Sequence, residues 1–233
     1  MQWKPSRVSR VLEIGSSGGL LIRQLQADGY RHITGIDISP EAVRLCREHG
    51  LTDVHLMDAQ RPEFPDDTFD LLIASDVLEH LADESGAVRE WHRILKPDGV
   101  LIVFVPAFRL LWSEHDEANR HCRRYRLSEL NQCLAAQGFH VERRGYWNCL
   151  LFPPVALVRL LRRVLPISRR TAAIGDFFPP PRLLNDALSA LLRLENRFHE
   201  KGCGLPFGVS AMAVVRKPAR GGAAGREPCG KSD

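Results

Sequence analysis

Two groups of residues in this chain could do chemistry. The first is Glu13, two residues ahead of Gly15 in Val11-Leu-Glu-Ile-Gly-Ser-Ser-Gly-Gly19, with Asp37 following in Gly35-Ile-Asp-Ile-Ser39. Glycines in a turn let a ligand approach the backbone. A carboxylate ahead of them repels a pyrophosphate and attracts a cation. An acid at the tip of the next strand suits a pair of sugar hydroxyls. The second group is Trp112-Ser-Glu-His-Asp-Glu-Ala-Asn-Arg-His-Cys-Arg-Arg-Tyr125. Here His115 or His121 could take a proton, with Asp116 orienting the ring, because imidazole titrates near neutrality. Tyr125 and Arg124 could hold an acceptor. The plainer alternative is that His121 and Arg124 form a polar network that fixes the loop.

The elements that must position these residues alternate between strand and helix periods, the mark of an α/β sheet. Strands are predicted over Arg10–Ile14, Ile33–Ile36, Val54–Met57, Phe69–Ala74, Val100–Val105, Phe139–Arg143 and Val209–Arg216. Helices are predicted over Leu20–Ala27, from Ser39-Pro40 to Glu48, over Ala87–Leu95 with a stop at Lys96-Pro97-Asp98-Gly99, and over Ser128–Gln137 with Ser128 as cap. Pro106–Arg126 has no clean period. Residues 146–208 form an insertion with helical blocks at Val155–Leu165 and Leu183–Glu200, joined through Phe177-Phe-Pro-Pro-Pro181. The expected organisation is a core over 1–145, the insertion over 146–208, a last core strand over 209–217 and a disordered tail over 218–233.

The 233 residues are 44% hydrophobic and 26% charged, as in an ordinary globular protein. The net charge of +4 conceals an asymmetry. Residues 1–145 carry 18 basic and 22 acidic side chains, whereas 146–216 carry 10 and 4. The core therefore offers no basic surface for nucleic acid. The six cysteines form no C-x-x-C pair and no zinc-ligand spacing with histidine, so no metal is expected and free thiols in the cytoplasm are. No leader and no membrane span are expected.

Five blocks in order carry a resemblance: Leu12-Glu-Ile-Gly15 with Gly19, Gly35-Ile-Asp37, Met57-Asp58-Ala59, Phe69-Asp-Leu-Leu-Ile-Ala-Ser-Asp-Val-Leu-Glu-His80, and Leu95-Lys-Pro-Asp-Gly-Val-Leu101. Together they resemble the class I S-adenosylmethionine (SAM)-dependent methyltransferases, type 11 group. The resemblance implies a Rossmann-like α/β fold, a seven-stranded mostly parallel sheet with helices on both faces. It also implies SAM as cofactor and S-adenosylhomocysteine (SAH) as product. Glu13 would meet the methionine ammonium, and Gly15 and Gly19 would shape the turn. Asp37, with Ile38 beside it, would meet the ribose, and Asp58 with Ala59 the adenine. Ser75, Asp76, Val77 and His80 would lie beside the methionine. Ser17 stands where the family often has its middle glycine. Asp37 could instead be an acid at a helix N-terminus, and Glu79 and His80 could simply begin a solvated helix.

The resemblance implies transfer of a methyl group to a small-molecule, sugar or lipid-like acceptor, on oxygen or nitrogen. The alternative is a non-catalytic SAM-binding or partner module, for which Ser17 and the short N-terminus speak. Only Met1–Val8 precede the first strand, with Trp3 as an anchor. A nicotinamide dehydrogenase is disfavoured because Gly15-Ser-Ser-Gly-Gly19 does not match its glycine spacing. In Val155–Leu165, Arg159, Arg162 and Arg163 share a stripe beside a wide apolar face. That pattern fits peripheral membrane contact through 150–165 and a lipid-linked acceptor, or a lid packed on the sheet or on a second copy in a homodimer.

Overall fold

A computed structural model describes residues 6–164, 182–200 and 204–219. Its centre is one sheet of seven strands: β1 (Arg10–Ile14), β2 (His32–Asp37), β3 (Val54–Leu56), β4 (Phe69–Ser75), β5 (Leu95–Pro106), β6 (His140–Trp147) and β7 (Ser210–Arg216). Their order is β3-β2-β1-β4-β5-β7-β6. Strands β1 to β5 are parallel, and β7 runs antiparallel between β5 and β6. The order reverses between β1 and β4, where open α/β sheets leave a crevice at the carboxyl ends of their strands. Glu13 lies in register with Gly35 on one side and Ile73 on the other.

The helices are α1 (Leu20–Ala27), α2 (Pro40–Glu48), α3 (Glu84–Ile94), α4 (Glu114–Ala118), α5 (Leu127–Ala136), α6 (Phe152–Val164) and α7 (Arg182–Glu200). They cover both faces. On one, Trp91 and Ile94 of α3 and Leu130 and Leu134 of α5 pack on Leu12, Leu72 and Leu101. On the other, Ile22 of α1 and Val43 and Cys46 of α2 pack on Val11, Leu71 and Val100. Burial on two faces explains why the central strands read as unbroken apolar runs.

Three expectations shift. Helix α3 starts at Glu84, because the Asp83 carboxylate accepts the Gly86 N–H at 2.9 Å and caps it there. The Lys96–Gly99 stop lies inside β5, where Lys217 N–H donates to Gly99 O and Asp98 N–H to Lys217 O, holding this segment against the end of the last strand. Helix α5 is opened by Arg126, not Ser128: Glu129 reaches back to the Arg126 N–H at 2.7 Å. Pro106–Arg126 contains α4 and a single 3₁₀ turn at Arg109–Leu111. Both helical blocks of the insertion form, as α6 and α7. The Phe177–Pro181 linker, Trp3, the side chains of Arg162 and Arg163 and the tail beyond 219 lie outside the described residues.

Candidate active site

The residues predicted for the cofactor converge on the carboxyl edge of β1, β2 and β4. Gly15 adopts φ +80°, and a Cβ there would sit 2.4 Å from Val77 Cγ2. The first turn and the mouth of β4 are therefore in contact at a point that admits only glycine. Ser17 adopts φ +48°, the left-handed conformation that costs an L side chain strain. Its N–H nevertheless donates to Asp37 Oδ2 at 2.8 Å, so serine keeps the turn closed. Asp37 Oδ1 accepts from Ser39 N–H at 2.8 Å. Each of its oxygens keeps a second lone pair. Ile38 beside it is exposed.

Glu13 is 7% exposed, and its Oε2 has no hydrogen-bonding partner among the described residues. Burial, with the Asp37 charge added, pushes its carboxyl up to about 8. Asp58 Oδ1 accepts from Gln60 N–H at 2.8 Å, and the Trp91 indole N–H donates to Ala59 O at 2.8 Å. This anchors the Asp58–Gln60 turn to α3. At the end of β4, Ser75 Oγ donates to Asp76 Oδ2 at 3.2 Å. Asp76 takes φ +53°, and burial raises its carboxyl above the usual range.

The segment from Trp112 to Tyr125 folds over the same edge. Asp116 is fully buried and ties it together. Its oxygens accept from Arg124 at 2.6 and 3.0 Å and from the Ser113 N–H at 2.8 Å, and lie 2.9 Å from His121 Nδ1. Burial pushes Asp116 up, but the Arg124 hydrogen bond and charge outweigh it, and the carboxyl lies below its ordinary value. His80 and His121 meet edge to face at 4.6 Å, and His115 and His121 at 6.3 Å. The His115 Nε2 lies 3.0 Å from the Asn119 amide nitrogen. These three histidines, Asp76, Asn119, Arg124 and Arg159 line a cavity of about 440 Å³.

Tyr125 does not join them. It is buried, and its hydroxyl donates to Glu84 Oε2 at 2.6 Å and lies 3.3 Å from Leu78 O. Burial and Glu84 push the phenol far above its ordinary value. It braces the loop against α3. Arg124 likewise holds the loop by Asp116 and Ala107 O, so the polar-network alternative describes its contacts. Sequence reasoning missed Glu79. It lies on a 3₁₀ turn, Leu78–His80, fully buried, and burial pushes its carboxyl up to about 8. A single turn has no period to say which side faces inward.

Residues 12–103 match the family described as a methyltransferase domain. The chain is 34% identical over 105 residues to a ubiquinone biosynthesis O-methyltransferase of Xylella fastidiosa, covering 42% of each chain. It is 34% identical over 101 residues to the Xanthomonas oryzae enzyme of that name, covering 41% of this chain and 42% of that one. The chain thus spans about two-fifths of the length of these curated relatives. Among solved structures, a Mesorhizobium loti SAM-dependent methyltransferase superposes with TM-score 0.58 at 16% identity, over 91% of this chain and 93% of that one. Residues 12–103 are thus similar to a methyltransferase domain. The [4+2]-cyclase SpnF also shares its fold, with TM-score 0.60 at 25% identity over 91% of this chain and 75% of its own.

The residues at this sheet edge fit the groups that SAM would present. Glu13 offers a buried carboxylate oxygen with no partner among the described residues, where an ammonium needs a counter-charge. Asp37 has two lone pairs left for ribose hydroxyls, and Gly15 keeps the floor free of a side chain.

Proposed function

We propose that the protein transfers a methyl group from SAM to a hydroxyl of a small, lipid-like acceptor, with oxygen favoured over nitrogen by its relatives. The observation that carries this reading is that Glu13 and Asp37 face the same sheet edge as the histidine-lined cavity. SAM supplies a methyl already activated on a positive sulfur. What remains for the chain is positioning, exclusion of water and removal of one proton.

His121 suits that last task best. Asp116 holds its Nδ1, which leaves Nε2 as the proton acceptor on the cavity side. His115 is the weaker candidate, because the Asn119 amide lies at its Nε2. Asp76, Ser75 and His80 are assigned to the boundary between cofactor and acceptor.

The lipid-like acceptor is supported by the surface beside the cavity. Arg159 of α6 donates to Leu111 O and lines the cavity, while Leu157, Val158, Leu160 and Leu161 of that helix are exposed. An apolar face next to a cavity suits an acceptor with a hydrocarbon tail, presented from a membrane surface. No helix among the described residues is long and apolar enough to cross a membrane. Flotation with anionic vesicles tests the contact: binding that weakens in Leu157→Ser/Leu161→Ser is expected, and no binding at low salt would contradict it. For the activity, incubation with labelled SAM and a panel of phenols and catechols is expected to give label in the acceptor. Retention of all label in SAM, with SAM bound, would favour a module that holds the cofactor without transfer.

A further inference from the structure

Three side chains at the cofactor end of the cavity do more than the methyl-transfer reading asks. Glu79 is fully buried, and neither carboxylate oxygen has a partner in another described residue. A lone buried carboxylate costs several kcal/mol unless a cation meets it. His80 follows it directly, and His121 arrives from the loop after β5. One ligand atom from each of the three lies within 4.8 Å of the others.

The surroundings of the His121 ring are those of a metal-bound imidazole. A metal-bound imidazole usually donates its second N–H to a carboxylate or a main-chain carbonyl, which fixes the ring and turns the other nitrogen outward. The His121 ring is held in this way. His121 Nδ1 is 2.9 Å from Asp116 Oδ1, and the exposed His80 ring meets the His121 ring edge to face at 4.6 Å. Asp116 is itself locked by Arg124 and Ser113. The backbone fastens the two segments together, with the Cys122 N–H donating to Glu79 O at 2.8 Å. Glu79 and His121 are 42 positions apart in the chain, and this bond sets one against the other.

We propose that Glu79, His80 and His121 bind one divalent transition-metal ion, with Asp116 orienting the His121 imidazole. Two imidazoles and one carboxylate favour zinc, iron(II), manganese or cobalt over magnesium or calcium, which prefer all-oxygen sites. Ligand bonds of about 2.1 Å require the three atoms to draw together by rotation of the exposed His80. His80 and His121 line the cavity, so the open side of the ion faces the acceptor. Its role there rests on the methyl-transfer reading. The ion would take the His121 nitrogen assigned above to the proton, and its charge would favour ionisation of the acceptor hydroxyl instead.

The test is titration of the chelator-treated protein with Co²⁺, followed by visible absorption. The expected result is saturable uptake of one Co²⁺ per chain with ligand-field bands, reversed by Zn²⁺. Affinity should fall at least about tenfold in Glu79→Gln and in His121→Ala, and stay unchanged in His115→Ala. SAH binding by the same samples reports that each variant is folded. Absence of saturable Co²⁺ uptake by the parent protein, or equal uptake by His121→Ala, would overturn the metal site. It would leave methyl transfer standing wherever SAH still binds. Failure of the parent protein to bind SAH would instead sink the methyl-transfer reading, whatever the cobalt shows.

Discussion

Glu13 places a buried acid, pushed up to about 8, where a cationic ligand group is needed. A carboxyl raised in the folded state favours the fold below its unfolded value near 4.5, and that contribution is lost as pH rises toward 8. The ligand-free protein should therefore lose stability from pH 5 to pH 9, and Glu13→Gln should make that slope shallower, with Glu79, raised likewise to about 8, keeping a share of it. Urea unfolding at the two pH values checks the sign. A bound ammonium reverses the preference and favours the carboxylate, so SAH binding at pH 7 should release a proton. Calorimetry in buffers of different ionisation enthalpy measures it, and Glu13→Gln should abolish the dependence. Ser17 makes a second residue-scale case. Its φ of +48° is relieved by glycine, so Ser17→Gly should leave SAH affinity intact and raise stability by about 0.5–1 kcal/mol, read by thermal unfolding. Lower SAH affinity in that variant would assign the hydroxyl a binding role.

At the scale of elements, the loop from Pro106 to Tyr125 is held by Asp116 and not by its own helix, which has only five residues. Asp116→Ala leaves Arg124, 3% exposed at its side chain, without its counter-charge. The expected loss is about 3–5 kcal/mol of stability, with the His121 ring set free. Denaturant midpoints would show it, and a loss below about 1 kcal/mol would mean that Arg124 finds solvent. The insertion is fastened in a comparable way. Glu195 of α7 is 1% exposed and accepts from the Cys149 and Leu150 N–H groups ahead of α6. Glu195→Ala should loosen both helices, read as faster amide exchange over 149–161 with the exchange of β1 and β4 unchanged.

These elements also show what the sequence could reveal. The turn from β1 to β2 was legible because Glu13, the glycines and Asp37 act within one continuous strand-turn-helix-strand unit. The start of α5 was not, because Ser128 and Arg126 compete for the cap and a Glu129 side chain decides between them. Tyr125 read as an acceptor ligand because its type suits one; its burial against Glu84 depends on α3, which no local pattern reports. The Glu79–His80–His121 group was invisible for the same reason. It exists only once β4 and the segment after β5 are laid side by side, and a search for ligand spacing along the chain passes over it.

For the whole molecule, the reversal of strand order between β1 and β4 brings both chemical groups to one edge, and the acidic core leaves positive charge to the insertion. The central claim is that this edge binds SAM through Glu13 and Asp37. Titration calorimetry with SAH, on the parent protein and on Asp37→Ala, tests it most directly. The account predicts saturable binding at one site per chain, weakened at least about a hundredfold in the variant, since hydrogen bonds to a charged group are worth roughly 1.5–3 kcal/mol each and two ribose hydroxyls are lost. No binding by the folded parent protein, or equal binding by Asp37→Ala, would contradict it.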